Sequence, residues 1–236
     1  MSMRTRIYRL ALAGLLFSSG GIAVAVEPIS AGDTDAEVNL CAPFKDGKVD
    51  ESLLTTMLSA AENGHLYRIQ TATSKMGFCV HSQVSEIEGE FKDFKGGLAL
   101  QPVTNGDGQA MVVINTNSLD VEGKLIKKLI KGESFFDVEH NPEILFVSKG
   151  FEWTSARSAE LRGDLTLRGI TRPVIFKVTL TTQDGAPASN AEKILVKATT
   201  EIDRTAFGMD ALPSVVDNKV RLCMTVEALK YRPDSV

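Results

Sequence analysis

From Leu66 onward, hydrophobic residues fall at every second position, the period of a strand with one buried face. Met76, Phe78 and Val80 alternate with Gly77, Cys79 and His81, and Ala110, Val112 and Ile114 form a second run. Ile144 and Phe146 follow Pro142. Gly163, Leu165 and Leu167 alternate with Asp164, Thr166 and Arg168; Val174, Phe176, Val178 and Leu180 alternate with Ile175, Lys177 and Thr179. Ile194, Val196, Ala198 and Ile202 follow, then Val220, Leu222, Met224 and Val226. The turn-forming Asn105-Gly106-Asp107-Gly108 precedes the second run. Seven or eight strands at this spacing predict an all-β sandwich or barrel.

Two segments carry a helical period instead. Asp50 can cap a helix in which Leu53, Leu54, Met57, Leu58 and Ala61 make one stripe, and Asn63-Gly64 supplies its stop. This helix is expected on the outside of the β domain. Lys124 to Lys131 reads KLIKKLIK, with Leu125, Ile126, Leu129 and Ile130 on one face and lysine on the other. It predicts a short helix closing one barrel end, or a basic lid that touches a membrane surface during ligand exchange.

The N-terminus changes the picture of where the chain works. Arg4, Arg6 and Arg9 precede an apolar stretch from Leu10 to Phe17, and small residues lead to Ala25. That is a secretory signal pattern with cleavage after Ala25, and its apolar core is shorter than the ~20 residues a spanning helix needs. The expected location is the periplasm. The expected division is a signal peptide (1–25), an arm with a short helix (26–64) and a barrel domain (65–232).

Removing the three leader arginines takes the formal charge from −4 to −7, which argues against a nucleic-acid partner. Export also makes a disulfide the expectation among Cys41, Cys79 and Cys223. Strand parity turns Cys79 and Cys223 outward on the first and last strands, which adjoin in a closed barrel. Cys79–Cys223 is the leading pairing, with Cys41 bonded to either as the alternative. The cysteines lack CxxC spacing, so neither a metal nor a cofactor is expected.

Catalytic signatures are sparse. The chain has no Gly-x-Ser-x-Gly, no His-x-x-x-His and no phosphate loop. His65, His81 and His140 are scattered, and Glu86, Glu88 and Glu90 stand in a row that reads as a solvated outer strand face.

Several motifs then occur in order: SKMGFCV (Ser74–Val80), VSEIEGEFKDF (Val84–Phe94), INTNSLD (Ile114–Asp120), FFDVEHNPEILFVS (Phe135–Ser148), GDLTLRGITRPV (Gly163–Val174) and EIDRTAFGM (Glu201–Met209). Together they resemble the YceI-like family of exported polyisoprenoid-binding proteins, over roughly Leu66 to Leu229. The resemblance implies an extended, lipocalin-like antiparallel barrel of about eight strands. It also implies a tunnel holding a long isoprenoid tail, and binding rather than catalysis. The family often has His at the positions of Ser82 and Arg168, so a head-group preference does not carry over.

The expected ligand-binding set is Phe78, Val80, Phe91, Phe94, Val112, Ile114, Phe135, Phe136, Ile144, Phe146, Leu165, Leu167, Phe176 and Val178. An apolar tunnel suits a prenyl chain of quinone or polyprenyl type, since each buried CH2 contributes about 0.8 kcal/mol. Arg168, Arg172 and Arg204 are head-group candidates, with Asp203-Arg204 also readable as a structural salt bridge in a turn. The same phenylalanines could instead pack a dry core. The chain would then be a non-catalytic interaction module, and a homodimer stays open.

Overall fold

A computed structural model describes residues 51–100, 108–182 and 190–232. The signal peptide, its cleavage site, most of the arm, Asp50, Cys41 and residues 105–107 of the expected turn lie outside the described residues.

The described chain runs α1 (Glu51–Glu62), β1 (Leu66–Ile69), β2 (Lys75–Ser82), β3 (Glu86–Phe91), β4 (Phe94–Ala99), β5 (Gln109–Asn115) and β6 (Leu119–Val121). Then follow α2 (Lys124–Lys131), β7 (Glu143–Trp153), β8 (Ser158–Leu167), β9 (Ile170–Thr182), β10 (Lys193–Asp203) and β11 (Val216–Lys230). Eight strands close into an antiparallel barrel in the order β1, β4, β5, β7, β8, β9, β10, β11, with β11 returning to β1. This is the all-β barrel that the alternation and the motifs predicted.

The other three strands lengthen the barrel. β2 continues the path of β1 along β11, β3 pairs with β2, and β6 pairs with β3. Each is a kinked extension of a barrel strand: β1 into β2 across a 3-10 turn at Thr71–Thr73, β3 into β4 across Lys92-Asp93, and β5 into β6 across Thr116–Ser118. The first kink interrupts the ladder with β11, and polar groups fill the break. Gln70 N–H donates to the Glu227 carbonyl (2.9 Å), while Ser74 Oγ accepts from Glu227 N–H (2.9 Å) and donates to its carbonyl (3.3 Å). Buried backbone groups need such partners wherever a ladder stops.

Along its axis the interior differs. Tyr67, Phe151, Leu161, Leu180, Ile194 and Ala228 pack one end solid. Tyr67 donates its hydroxyl to the Ala191 carbonyl (2.5 Å), and burial with nearby Glu192 pushes its phenol up to about 12. At the opposite end, β6 meets no further strand among the described residues, and α2 packs against it instead.

Helix α1 lies on the barrel exterior as expected, but its buried stripe is Leu53, Met57 and Ala60. These cover Ala99 and Met111, outward residues of β4 and β5. Leu58, assigned to the stripe from sequence, is exposed. The covered patch centres on β1, β4 and β5, and one line of residues at i, i+4 and i+7 faces it. Gly64, left-handed at φ 67°, ends the helix, with His65 N–H donating to the Ala60 carbonyl (2.7 Å).

Cys79 and Cys223 do lie on adjacent strands, yet the structure holds them as free thiols. The expected Cys79–Cys223 disulfide is not formed. The β2–β11 register sets Cys79 opposite Arg221 and Cys223 opposite Gly77, so the two thiols are diagonal neighbours rather than a facing pair. Burial, then the Cys223 thiol and the Glu86 carboxylate, push the Cys79 thiol up to about 11. Its neutral form therefore favours the fold below the ordinary thiol range, a contribution lost as pH rises towards 11. Alkylation of Cys79 in the native protein, followed by peptide mapping, is expected to show a midpoint near pH 11.

Gly163 faces the interior of β8, where a Cβ would stand 2.5 Å from the Val147 carbonyl oxygen and 2.7 Å from the Phe146 ring. Gly150, in the β7 bulge beside Ser148, would meet nothing within 4 Å. Gly163→Ala is expected to destabilise by about 1–3 kcal/mol. Gly150→Ala should be neutral or slightly stabilising, and thermal unfolding of the two variants compares them directly.

Candidate functional site

The hollow end of the barrel is an apolar cavity of about 390 Å3. Twelve of the fourteen residues expected from sequence line it. They are Phe78 and Val80 of β2, Phe91 of β3, Val112 and Ile114 of β5, Ile144 and Phe146 of β7, Leu165 and Leu167 of β8, Phe176 of β9, and Phe135 and Phe136 after α2. Phe94 and Val178 are buried in the same core but do not border the cavity. Along β9 the change comes between Phe176, on the wall, and Val178, which sits in the packed end opposite Ala159 and Ala198.

Aromatic rings give the wall its shape. Phe136 stands 5.6 Å from both Phe78 and Phe91, and Phe146 meets Phe176 edge-on at 5.2 Å. Such tilted and edge contacts add about 0.5–1.5 kcal/mol per pair beyond area burial. Gly89, inward on β3, leaves room for the Phe78 ring, which a Cβ there would meet at 2.4 Å.

Sequence reasoning left several lining residues out of the site. Val220, Leu222 and Met224 of β11 had been read as an alternating strand, and parity alone would have added them. Ile126, Leu129 and Ile130 of α2 had been read as a lid face. Met209 closes the EIDRTAFGM motif but was not read as lining, and Leu212, Val215 and Val216 carry no period and gave no signal.

Arg204 sits in the cavity wall, 2 % exposed. Its Nε donates to the Asp217 carbonyl (2.9 Å), Nη1 to those of Met209 (2.5 Å) and Ala211 (2.7 Å), and Nη2 to that of Val216 (2.9 Å). The Phe135 ring lies 5.9 Å from its guanidinium carbon. Four of its five N–H donors are thus committed to the backbone of the segment entering β11.

The Asp203-Arg204 pair is structural, though not as a salt bridge. Asp203 turns away to cap the 3-10 turn at Arg204–Phe207, accepting from Thr205 N–H (2.9 Å) and Oγ1 (2.7 Å). Those bonds hold the Asp203 carboxyl below its usual range, with Arg204 and Lys219 contributing.

The two other head-group candidates are bound elsewhere. Arg168, at φ 53° in the β8–β9 turn, donates to the Gly208 carbonyl (2.7 Å), and Arg172 donates to that of Ala206 (3.3 Å). Both fasten the hairpin to the 3-10 turn, and neither borders the cavity.

Residues 67–228 match the YceI-like domain. The chain belongs to the YceI-like family. A UPF0312 protein of Pseudomonas putida (strain W619) is 32% identical over 152 residues, which are 64% of this chain and 78% of the relative. Among solved structures, Burkholderia cenocepacia BcnA superposes at a TM-score of 0.61 with 23% identity, covering 67% of this chain and 98% of BcnA. A polyisoprenoid binding domain from Saccharophagus degradans, implicated in plant cell wall breakdown, gives 0.54 with 13% identity, covering 70% and 98%. At these identities the two structures share the fold with this YceI-like chain.

Arg204→Met should orphan four carbonyls and destabilise by about 3 kcal/mol or more. Arg204→Lys should recover little, because one ammonium cannot reach all four acceptors. Chemical denaturation of both variants checks this.

Proposed function

We infer that this protein binds an isoprenoid lipid of quinone or polyprenyl type and carries it within the periplasm. The observation that carries the reading is the cavity, whose walls are phenylalanine and aliphatic side chains supplied by eight strands, counting the kinked extensions. The Saccharophagus degradans domain, described as polyisoprenoid-binding, has the same fold and supports this choice of ligand. The leader pattern at residues 1–25 supports the location.

Size and polarity refine the binding mode. At ~30 Å3 per water-sized group, the cavity accommodates about 13 heavy atoms, or between two and three isoprene units. Burying that many carbons contributes roughly 10 kcal/mol before the entropy of association is subtracted. Arg204, the charged residue in the wall, has nearly all its donors occupied by carbonyls. The tail end therefore enters first, while the head group and any further units stay at or beyond the mouth. The packed-module alternative describes only the end around Tyr67, Phe151 and Ile194.

Organic extraction of protein purified from its native host, followed by mass spectrometry, is expected to release a prenyl lipid. Recovery of no lipid, or of straight-chain fatty acids alone, would count against the reading. Val112→Trp, which projects an indole into the cavity from β5, should lower affinity for a prenyl probe at least about tenfold while the circular dichroism spectrum stays unchanged.

A further inference from the structure

The cavity opens where three separate segments leave large apolar side chains in solvent. Val84, at the β2–β3 turn, is 89 % exposed; Leu125, on α2, is 84 % exposed; Leu129 of α2, with Leu212 and Val215 before β11, are each more than two-fifths exposed. Four of these five also line the cavity, so its apolar wall runs without a break onto the surface. Scattered exposed hydrophobics are ordinary, but a contiguous set around one opening marks an interaction surface.

The presentation is rigid. Gln83 N–H donates to the Val215 carbonyl (3.0 Å) and its Nε2 to that of Ser214 (2.6 Å), so the hairpin tip and the Leu212–Val215 segment are bonded together. Ser82 and Ser85 brace the same turn, with Ser82 Oγ donating to the Ser85 carbonyl (2.6 Å). Val84 is thereby held outward. On α2, Ile130 is buried, Lys127 pairs with Asp120 (2.8 Å) and Lys131 donates to the Asn117 carbonyl (2.6 Å). That side of the helix is fastened to the barrel. Leu125, Lys124 and Lys128 occupy the free side, and neither of these two lysines enters an ion pair among the described residues.

Charge selects among partners. The chain as a whole is acidic at −4, yet residues 122–133 carry four lysines against Glu122 and Glu133. A positive helix beside an apolar rim complements a surface that is anionic outside and hydrocarbon within.

We propose that the rim formed by Val84, Leu125, Leu129, Leu212 and Val215, with Lys124 and Lys128, docks the open end of the barrel on an anionic lipid membrane. The docking places the cavity mouth against the acyl region, so a lipid tail passes between bilayer and barrel without crossing water. This extends the carrier reading, on which it rests for its purpose but not for its measurement.

Flotation of the purified protein with vesicles tests it, using phosphatidylcholine alone and an equimolar mixture with phosphatidylglycerol. The protein is expected to float preferentially with the anionic vesicles, and less as salt rises. Val84→Ser combined with Leu125→Ser should weaken this at least about tenfold, since both side chains lose apolar burial. Lys124→Glu combined with Lys128→Glu should weaken it by at least about twenty-five-fold on anionic vesicles, since each lysine contributes roughly a factor of five and each glutamate adds repulsion. Unchanged binding by either variant, equal binding to neutral vesicles, or no flotation of the parent protein would overturn the proposal. So would a dimer in sedimentation that Leu125→Ser dissociates, since a second copy would then be the partner of the rim. Vesicle binding with no extractable prenyl lipid would leave the docking surface standing and remove the carrier reading alone.

Discussion

Every edge of β11 is occupied, and the barrel depends on how that is done. Its 15 residues pair with β10 along one side over the length of that strand. Along the other side they must satisfy first β2 and then β1, which are one path broken by the 3-10 turn at Thr71–Thr73. A β-sheet exposes unpaired donors and acceptors wherever a ladder stops, and closure removes that exposure. Here the break is bridged at Glu227, whose backbone bonds to Gln70 and to the Ser74 hydroxyl. Without that bridge, β1 and β2 could not both follow β11.

The hollow half follows from the extended end. At the level of β1, β4 and β5 the barrel closes through strands, and side chains fill it, as an eight-stranded circumference allows. At the level of β2, β3 and β6 the ladder stops at β6, and α2 with the Phe135-Phe136 turn takes the place of a strand. Helix and turn fill less of the interior than a paired strand would, and the phenylalanine rings brace the walls apart. Arg204, whose guanidinium carbon lies 5.9 Å from the Phe135 ring, shapes the same end of the barrel. By drawing four carbonyls of residues 209–217 inward, it fixes the segment that carries Met209, Leu212 and Val215 to the mouth. Among the described residues no carboxylate pairs with this buried guanidinium, and carbonyl dipoles and the Phe135 ring face it instead.

Much of the barrel was legible before any coordinates. Alternation over Phe78, Val80, Phe146, Leu165 and Phe176 sorts inward from outward, because side-chain direction in a strand has a strict period of two. Parity likewise turned Cys79 and Cys223 to the outside, and closure made their strands neighbours. What parity lacks is position along the axis. It gives the same sign to Phe176 and Val178, though one borders the cavity and the other a packed layer. It also lacks register, so two thiols on adjacent strands and the same face proved to be diagonal. Helical period placed Leu53 and Met57 correctly, but it could not choose between Leu58 and Ala60, since both choices make a stripe and only the covered surface decides.

The sequence by itself therefore determined the class of the fold, its inward residues and its family, all properties of local periodicity and ordered motifs. Tertiary structure alone decided that one half of the barrel is hollow, because a cavity is a relation among many strands at one height. It alone turned Arg204 from a candidate head-group ligand into a clamp on backbone carbonyls, whose positions depend on a loop with no period. And it alone gathered Val84, Leu125 and Leu212 around one opening, since residues so far apart in sequence become neighbours only when the barrel closes.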